Sequence, residues 1–113
     1  MIRSVPEIDV VGARTLLRAG ALLVDVRTPA EWDAGHAPDA VHVPLETVPA
    51  QASALPRDRV VVVICRSGRR SQSAVAELVA RGFDAHNLTG GMLAWVQAGL
   101  PVVSASGAAP AVI

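Results

Sequence analysis

The sequence contains no lysine and no tyrosine, a single phenylalanine and a single cysteine. One cysteine cannot close an internal disulfide, which excludes the small secreted folds that depend on cross-links. With no lysine there is no Gly-x4-Gly-Lys-Ser/Thr run, and so no nucleotide phosphate loop of that kind. Charge of one sign is not in surplus: ten arginines face ten carboxylates. That balance argues against a general nucleic-acid or polyanion binder. A genome-wide codon bias explains the all-arginine set as well as anion recognition does, so it carries little weight. Apolar runs stop at about six residues, far short of a membrane span. The opening residues Met1 to Glu7 lack the apolar centre of a signal peptide. The expected location is the cytoplasm, where a lone thiol stays reduced.

What is present is a globular composition. Apolar residues make up 51% of a 113-residue chain, enough for one hydrophobic core. Ala21 to Val24 and Val60 to Ile64 are continuous apolar runs, as expected of strands covered on both faces. Ala40 to Val43 and Asp84 to Leu88 are two further strand candidates. Between these lie helix-period segments. Asp9 to Ala19 has Asp9 as N-cap and Gly20 as stop, and Pro29 to Ala34 carries proline in its first turn. Thr47 to Leu55 is a weaker helix, and Met92 to Ala98 ends at Gly99. Ser71 to Ala80 is the strongest, with Ala74, Val75, Leu78 and Val79 on one face. Alternating strands and helices predict an α/β fold: a mainly parallel sheet of four to five strands, flanked by helices on both faces. Residues 1–101 read as a single domain, and residues 102–113 as a weakly structured tail.

The lone cysteine, Cys65, directly follows the Val60 to Ile64 strand and opens the stretch Cys65-Arg66-Ser67-Gly68-Arg69-Arg70-Ser71. In open parallel sheets, ligands bind beyond the carboxyl ends of the strands. A short loop entering a helix can curl its backbone N–H groups around an anion, and the helix end adds partial positive charge. Gly68 supplies the backbone freedom for such a curl. Together these lower a thiol pKa below its free value of about 8.5 and favour the nucleophilic thiolate. A buried, inert cysteine is the competing reading for a thiol after a valine run. The arginine-rich loop weighs against it.

Three separated segments then resemble the rhodanese-like sulfurtransferases. The Cys65 to Ser71 loop is similar to their active-site loop. Val24 to His36, with Asp25, Arg27, Glu31, Trp32, Gly35 and His36, is similar to their first signature, continued by Ala40 to Leu45. Gly90-Gly91-Met92-Leu93-Ala94-Trp95 is similar to the third. Ala37 and Asp39 depart from the family's usual Ile and Gly; an aspartate tolerates left-handed backbone at such a turn.

The resemblance implies that Cys65 attacks the outer sulfur of a small donor such as thiosulfate, releases sulfite and holds a persulfide. An external thiol, a protein acceptor or cyanide then removes the sulfur, since no second cysteine is available. Arg66, Ser67, Gly68, Arg69, Arg70 and Ser71 form the implied donor site, with Arg70 and Arg66 as the foremost anion contacts. Ser67 or Ser71 is expected to donate a hydroxyl hydrogen bond to the sulfur. Asp25 and Arg27 are expected in support at the pocket rim: Asp25 as a brace, Arg27 as brace or substrate contact. Glu31 and Trp32 read as packing and bracing, His36 as a structural histidine and Trp95 as core. No metal or cofactor is expected, because His36, His42 and Cys65 lack ligand spacing. Two alternatives stand beside this reading. One is a persulfide carrier or regulatory binding module with negligible turnover. The other is a phosphatase or arsenate reductase, whose loops place five residues between Cys and Arg where this chain has four.

Overall fold

The computed structural model describes residues 4–113. Five strands, β1 (Glu7–Ile8), β2 (Leu22–Asp25), β3 (Val41–His42), β4 (Val61–Ile64) and β5 (Ala85–Leu88), form one sheet in the order β1-β5-β4-β2-β3. Every pairing is parallel. The helices are α1 (Val10–Arg18), α2 (Pro29–Ala34), α3 (Val48–Gln51), α4 (Arg70–Ala80) and α5 (Gly91–Gln97). The expected α/β architecture is therefore present with five strands. The strand missing from the sequence reading is β1, whose two residues are too short to show any periodicity.

The central strands are buried along their whole length because both faces are covered. Val61 and Val63 pack with Ala74, Val75 and Leu78 of α4 and with Val48 of α3. Val62 and Ile64 point the other way, to Ala13 of α1 and to Met92 and Trp95 of α5. Each such buried valine or isoleucine contributes about 1.5–3 kcal/mol of transfer free energy. This two-sided burial holds the carboxyl end of β4, and with it Cys65, at the centre of the molecule.

Local chemistry sets the helix limits. Asp9 Oδ1 accepts the Gly12 N–H at 2.9 Å as the expected N-cap. Thr28 caps α2 in a reciprocal box: its Oγ1 accepts the Glu31 N–H and Glu31 Oε1 accepts the Thr28 N–H. Two details differ from expectation. The Thr47 to Leu55 segment is broken into α3 between two 3-10 turns, Leu45–Thr47 and Ala52–Ala54. Pro49 fits only the first turn of a helix, so no helix can run through it from Leu45. On α4, Ala74, Val75 and Leu78 are buried, but Val79 is 42% exposed.

Residues 102–113 form no helix or strand, and their main chain is tied to the domain. His36 and Val103 exchange main-chain hydrogen bonds, and Ala105 and Ala111 N–H groups donate to Asp33 and Ala34 carbonyls. Val102 and Val112 pack against the α1/α5 side of the core. No described helix is long and apolar enough to cross a membrane.

Candidate active site

Cys65 is the residue after β4, and the loop from Arg66 to Arg69 carries the chain into α4. The thiol is 1% exposed. Gly68 has φ +90°, which turns its N–H back to Cys65 Sγ at 3.1 Å. A side chain there would be strained, and its Cβ would stand 3.0 Å from Gly90 N. From the first turn of α4, Ser71 Oγ lies 3.2 Å from the sulfur. Burial pushes the Cys65 thiol up, but the Ser71 hydroxyl and the N–H groups of Ser71, Gly68 and Ser67 outweigh it. The net result is a pKa below the ordinary thiol value.

The far wall of the loop is α5. Its Met92 and Leu93 N–H groups donate to the Cys65 and Arg66 carbonyls at 2.8 and 3.1 Å. These are unpaired donors of a helix start, satisfied by the loop. Contact this close requires Gly91: a Cβ there would lie 2.3 Å from Cys65 O.

The three loop arginines have different surroundings. Arg70 meets Glu31 with two parallel bonds, Nη1 to Oε1 at 2.8 Å and Nη2 to Oε2 at 2.7 Å. Those bonds outweigh burial and bring the Glu31 pKa down to about 2. Arg66 is exposed, and its Nε donates to the Ile113 carbonyl at 3.1 Å. Arg69 is exposed and makes no ion pair among the described residues. Arg66 and Arg69 thus face solvent, while Arg70 is engaged in a bidentate pair.

Asp25 and Arg27 are not at a rim; both are fully buried. Asp25 Oδ1 accepts the Arg27 backbone N–H at 3.0 Å, and the two side chains form an ion pair at 2.8 Å. Arg27 Nη2 also donates to Gly35 O at 2.7 Å, tying β2 to the end of α2. Neither side chain hydrogen-bonds the Cys65 loop. Trp32 stacks with both His36 and His42, with ring centroids 3.6 and 4.7 Å away. His36 Nδ1 lies 2.7 Å from Trp32 O, in keeping with a structural histidine. Trp95 is buried, and its Nε1 donates to Pro101 O. Asp39 does not use left-handed backbone; among the described residues only glycines have positive φ.

The sequence reading missed Asn87. It is fully buried on β5, where its Oδ1 accepts from Ser71 Oγ and its Nδ2 donates to Gly68 O at 2.9 Å and to Glu7 Oε2 at 3.0 Å. A polar residue inside the Ala85 to Leu88 strand was the available signal. Among the described residues no group of three His, Cys, Asp or Glu side chains converges as a metal site. Three surface cavities, of about 490, 620 and 360 Å³, are lined by other residues than Cys65. The site is a loop wrapped around one atom.

A parallel α/β sheet that presents a hydrogen-bonded cysteine in the turn between a central strand and its crossover helix defines a class of domain. The family model for the Rhodanese-like domain matches residues 12–98, and the chain belongs to that family. It is 48% identical over 87 residues to a sulfurtransferase of Allochromatium vinosum, covering 76% of this chain and 81% of that protein. It is 39% identical over 84 residues to the thiosulfate sulfurtransferase GlpE of Pseudomonas syringae, covering 74% of this chain and 79% of the relative. Among solved structures it is similar to a rhodanese-related protein of Thermoplasma volcanium. There the TM-score is 0.81 at 30% identity, over 87% of this chain and 97% of the other.

Proposed function

We propose that the protein is a sulfurtransferase that carries a sulfane sulfur on Cys65, taking it from thiosulfate or a similar anionic donor and passing it to an external thiol or cyanide. The observation that carries this reading is the pair of donors on one sulfur atom, Gly68 N–H at 3.1 Å and Ser71 Oγ at 3.2 Å. They hold a thiolate in place without a neighbouring base. The names of the Allochromatium and Pseudomonas relatives support the same class of reaction.

In the first step the Cys65 thiolate attacks the outer sulfur of thiosulfate. A new S–S bond forms at Sγ, and the bond between the two thiosulfate sulfurs breaks with its electron pair leaving on sulfite. One negative charge stays on the enzyme, now on the outer persulfide sulfur. Loop N–H groups and the start of α4 favour that anion as they favour the thiolate. Arg66 and Arg69, on the exposed side of the loop, attract the dianionic donor. In the second step an acceptor thiolate attacks the outer sulfur and Cys65 leaves as thiolate. A reducing compartment such as the cytoplasm suits a mechanism that needs Cys65 as a free thiol.

Mass spectrometry of the protein after incubation with thiosulfate tests this reading. The expected result is a gain of one sulfur atom at Cys65, absent in Cys65→Ser, with sulfite released continuously once cyanide is supplied. A sulfur gain without turnover would instead identify a persulfide carrier. No gain from thiosulfate or from a protein persulfide would overturn the proposal.

A further inference from the structure

Ser71 has one hydroxyl proton and two buried acceptors within reach of it. One is Cys65 Sγ at 3.2 Å and the other is Asn87 Oδ1. The amide of Asn87 cannot turn to relieve the competition. Its Nδ2 faces two acceptors, Gly68 O at 2.9 Å and Glu7 Oε2 at 3.0 Å. A flip would set Oδ1 against a carbonyl and a carboxylate, with no proton from Asn87 for either. Asn87 Oδ1 is therefore held permanently toward Ser71, and Ser71 and Asn87 are both fully buried.

We propose that Asn87 is a positioning residue for sulfur transfer, competing with Cys65 for the single proton of Ser71 and so favouring the persulfide over the free thiolate. The inference rests on the sulfurtransferase reading above. With the thiolate present, Ser71 turns its proton to Sγ and Asn87 Oδ1 is left buried with no donor, which is costly. When Sγ attacks the outer sulfur, the charge moves one atom outward and Sγ becomes a neutral divalent sulfur, a weak acceptor. The Ser71 proton then returns to Asn87 Oδ1, and every buried polar group in the chain Gly68–Asn87–Ser71 is satisfied. The same competition keeps the thiolate from becoming too stable, which preserves its nucleophilicity.

The charged groups around this unit are few. Arg70, paired with Glu31, acts on Cys65 from the α4 side, and Asp25 acts on Arg70 from β2. Glu7, which also accepts from Gln72 at 3.5 Å, faces Asn87 from β1. None of them is substituted in the test, and the loss of the Asn87 Nδ2 donor to Glu7 and Gly68 is common to both Ser71 backgrounds.

The test is a cycle of Asn87→Leu, Ser71→Ala and the double variant, read by the pH dependence of Cys65 alkylation and by persulfide occupancy in defined thiosulfate/sulfite mixtures. Asn87→Leu is expected to lower the alkylation midpoint and to shift the equilibrium about three- to tenfold from persulfide toward thiolate. In the Ser71→Ala background the same change is expected to do neither. An equal effect of Asn87→Leu in both backgrounds, or a raised midpoint with Ser71 present, would reduce Asn87 to a structural brace and overturn the proposal. Should Asn87→Leu not fold, Asn87→Ala replaces it. That variant removes the same acceptor and is expected to lower the midpoint with Ser71 present and not without it; an equal shift in both backgrounds would overturn the proposal. A wild-type protein that never gains sulfur would defeat the sulfurtransferase reading alone, because the alkylation arms still decide whether Ser71 couples Asn87 to Cys65.

Discussion

Arg70 and Glu31 lie 39 residues apart and meet through two parallel hydrogen bonds of 2.8 and 2.7 Å. The contact joins the first residue of α4, at the end of the cysteine loop, to the first turn of α2. A planar guanidinium satisfied this way has a fixed orientation, which makes Arg70 a strut for the loop.

Arg70→Ala is therefore expected to lower the melting temperature and kcat while leaving the KM for thiosulfate within about twofold. Arg70→Lys should not restore either quantity, since an ammonium cannot make the bidentate contact. Arg66→Ala and Arg69→Ala should raise KM several-fold with little effect on melting. Steady-state kinetics alongside thermal melts separates the two patterns. A large KM increase in Arg70→Ala would return that side chain to the donor site.

Acid should act through the same pair. The Glu31 carboxyl has a pKa of about 2 in the folded protein, against an ordinary 4.5. A depressed carboxylate stabilises the fold fully above its unfolded value. That stability is lost as pH falls through about 4.5 toward 2, because the unfolded chain binds the proton first. Glu31 is 13% exposed and Arg70 39%, so solvent screening limits the effect to about 1 kcal/mol. Urea midpoints measured between pH 5 and pH 2.5 should fall more steeply for wild type than for Glu31→Gln. Parallel slopes would mean the pair contributes nothing to stability.

The thiol should ionise early. Because hydrogen bonds to Cys65 outweigh its burial, the rate of alkylation against pH should show a midpoint below about 8.5. Ser71→Ala removes the hydroxyl near Sγ and should raise that midpoint. A Ser71→Ala midpoint at or below that of wild type would show that the hydroxyl is not committed to the sulfur in the free enzyme.

Gly91 should tolerate no side chain. Its φ is +55°, and a Cβ would lie 2.3 Å from Cys65 O and 2.7 Å from Arg66 O. Gly91→Ala must push α5 away from the loop and break the Met92 bond to Cys65 O. The expected loss is about 3 kcal/mol by urea unfolding, with alkylation of Cys65 no longer showing a depressed midpoint. A loss under about 1 kcal/mol would mean that the loop and α5 separate easily.

Much of this was legible in the sequence because it is local. A run such as Val60 to Ile64 declares a strand buried on both faces, Asp9 declares a helix start, and Gly68 declares a tight turn before α4. The position of Cys65 at a strand end, with a helix following, is likewise a property of adjacent residues. The sequence by itself therefore determined the α/β class, the order of the longer elements, the place of Cys65 at a strand end and the family.

Partners distant in the chain were a different matter. Glu31 and Arg70, Ser71 and Asn87, and Gly91 and Cys65 are brought together by sheet order and by the packing of α2 and α5 against the loop. The sequence set Arg70 and Arg66 ahead of Arg69 as anion contacts but offered no carboxylate partner for any of the three. Only the tertiary structure decided which meets a carboxylate, since a guanidinium binds whichever acceptor the fold sets within about 3 Å of it. It also moved Asp25 and Arg27 from an expected rim to full burial, where each is the other's partner. Local sequence dictates local backbone; the pairing of buried polar groups is settled only when the whole core closes and each must find a partner or remain unsatisfied.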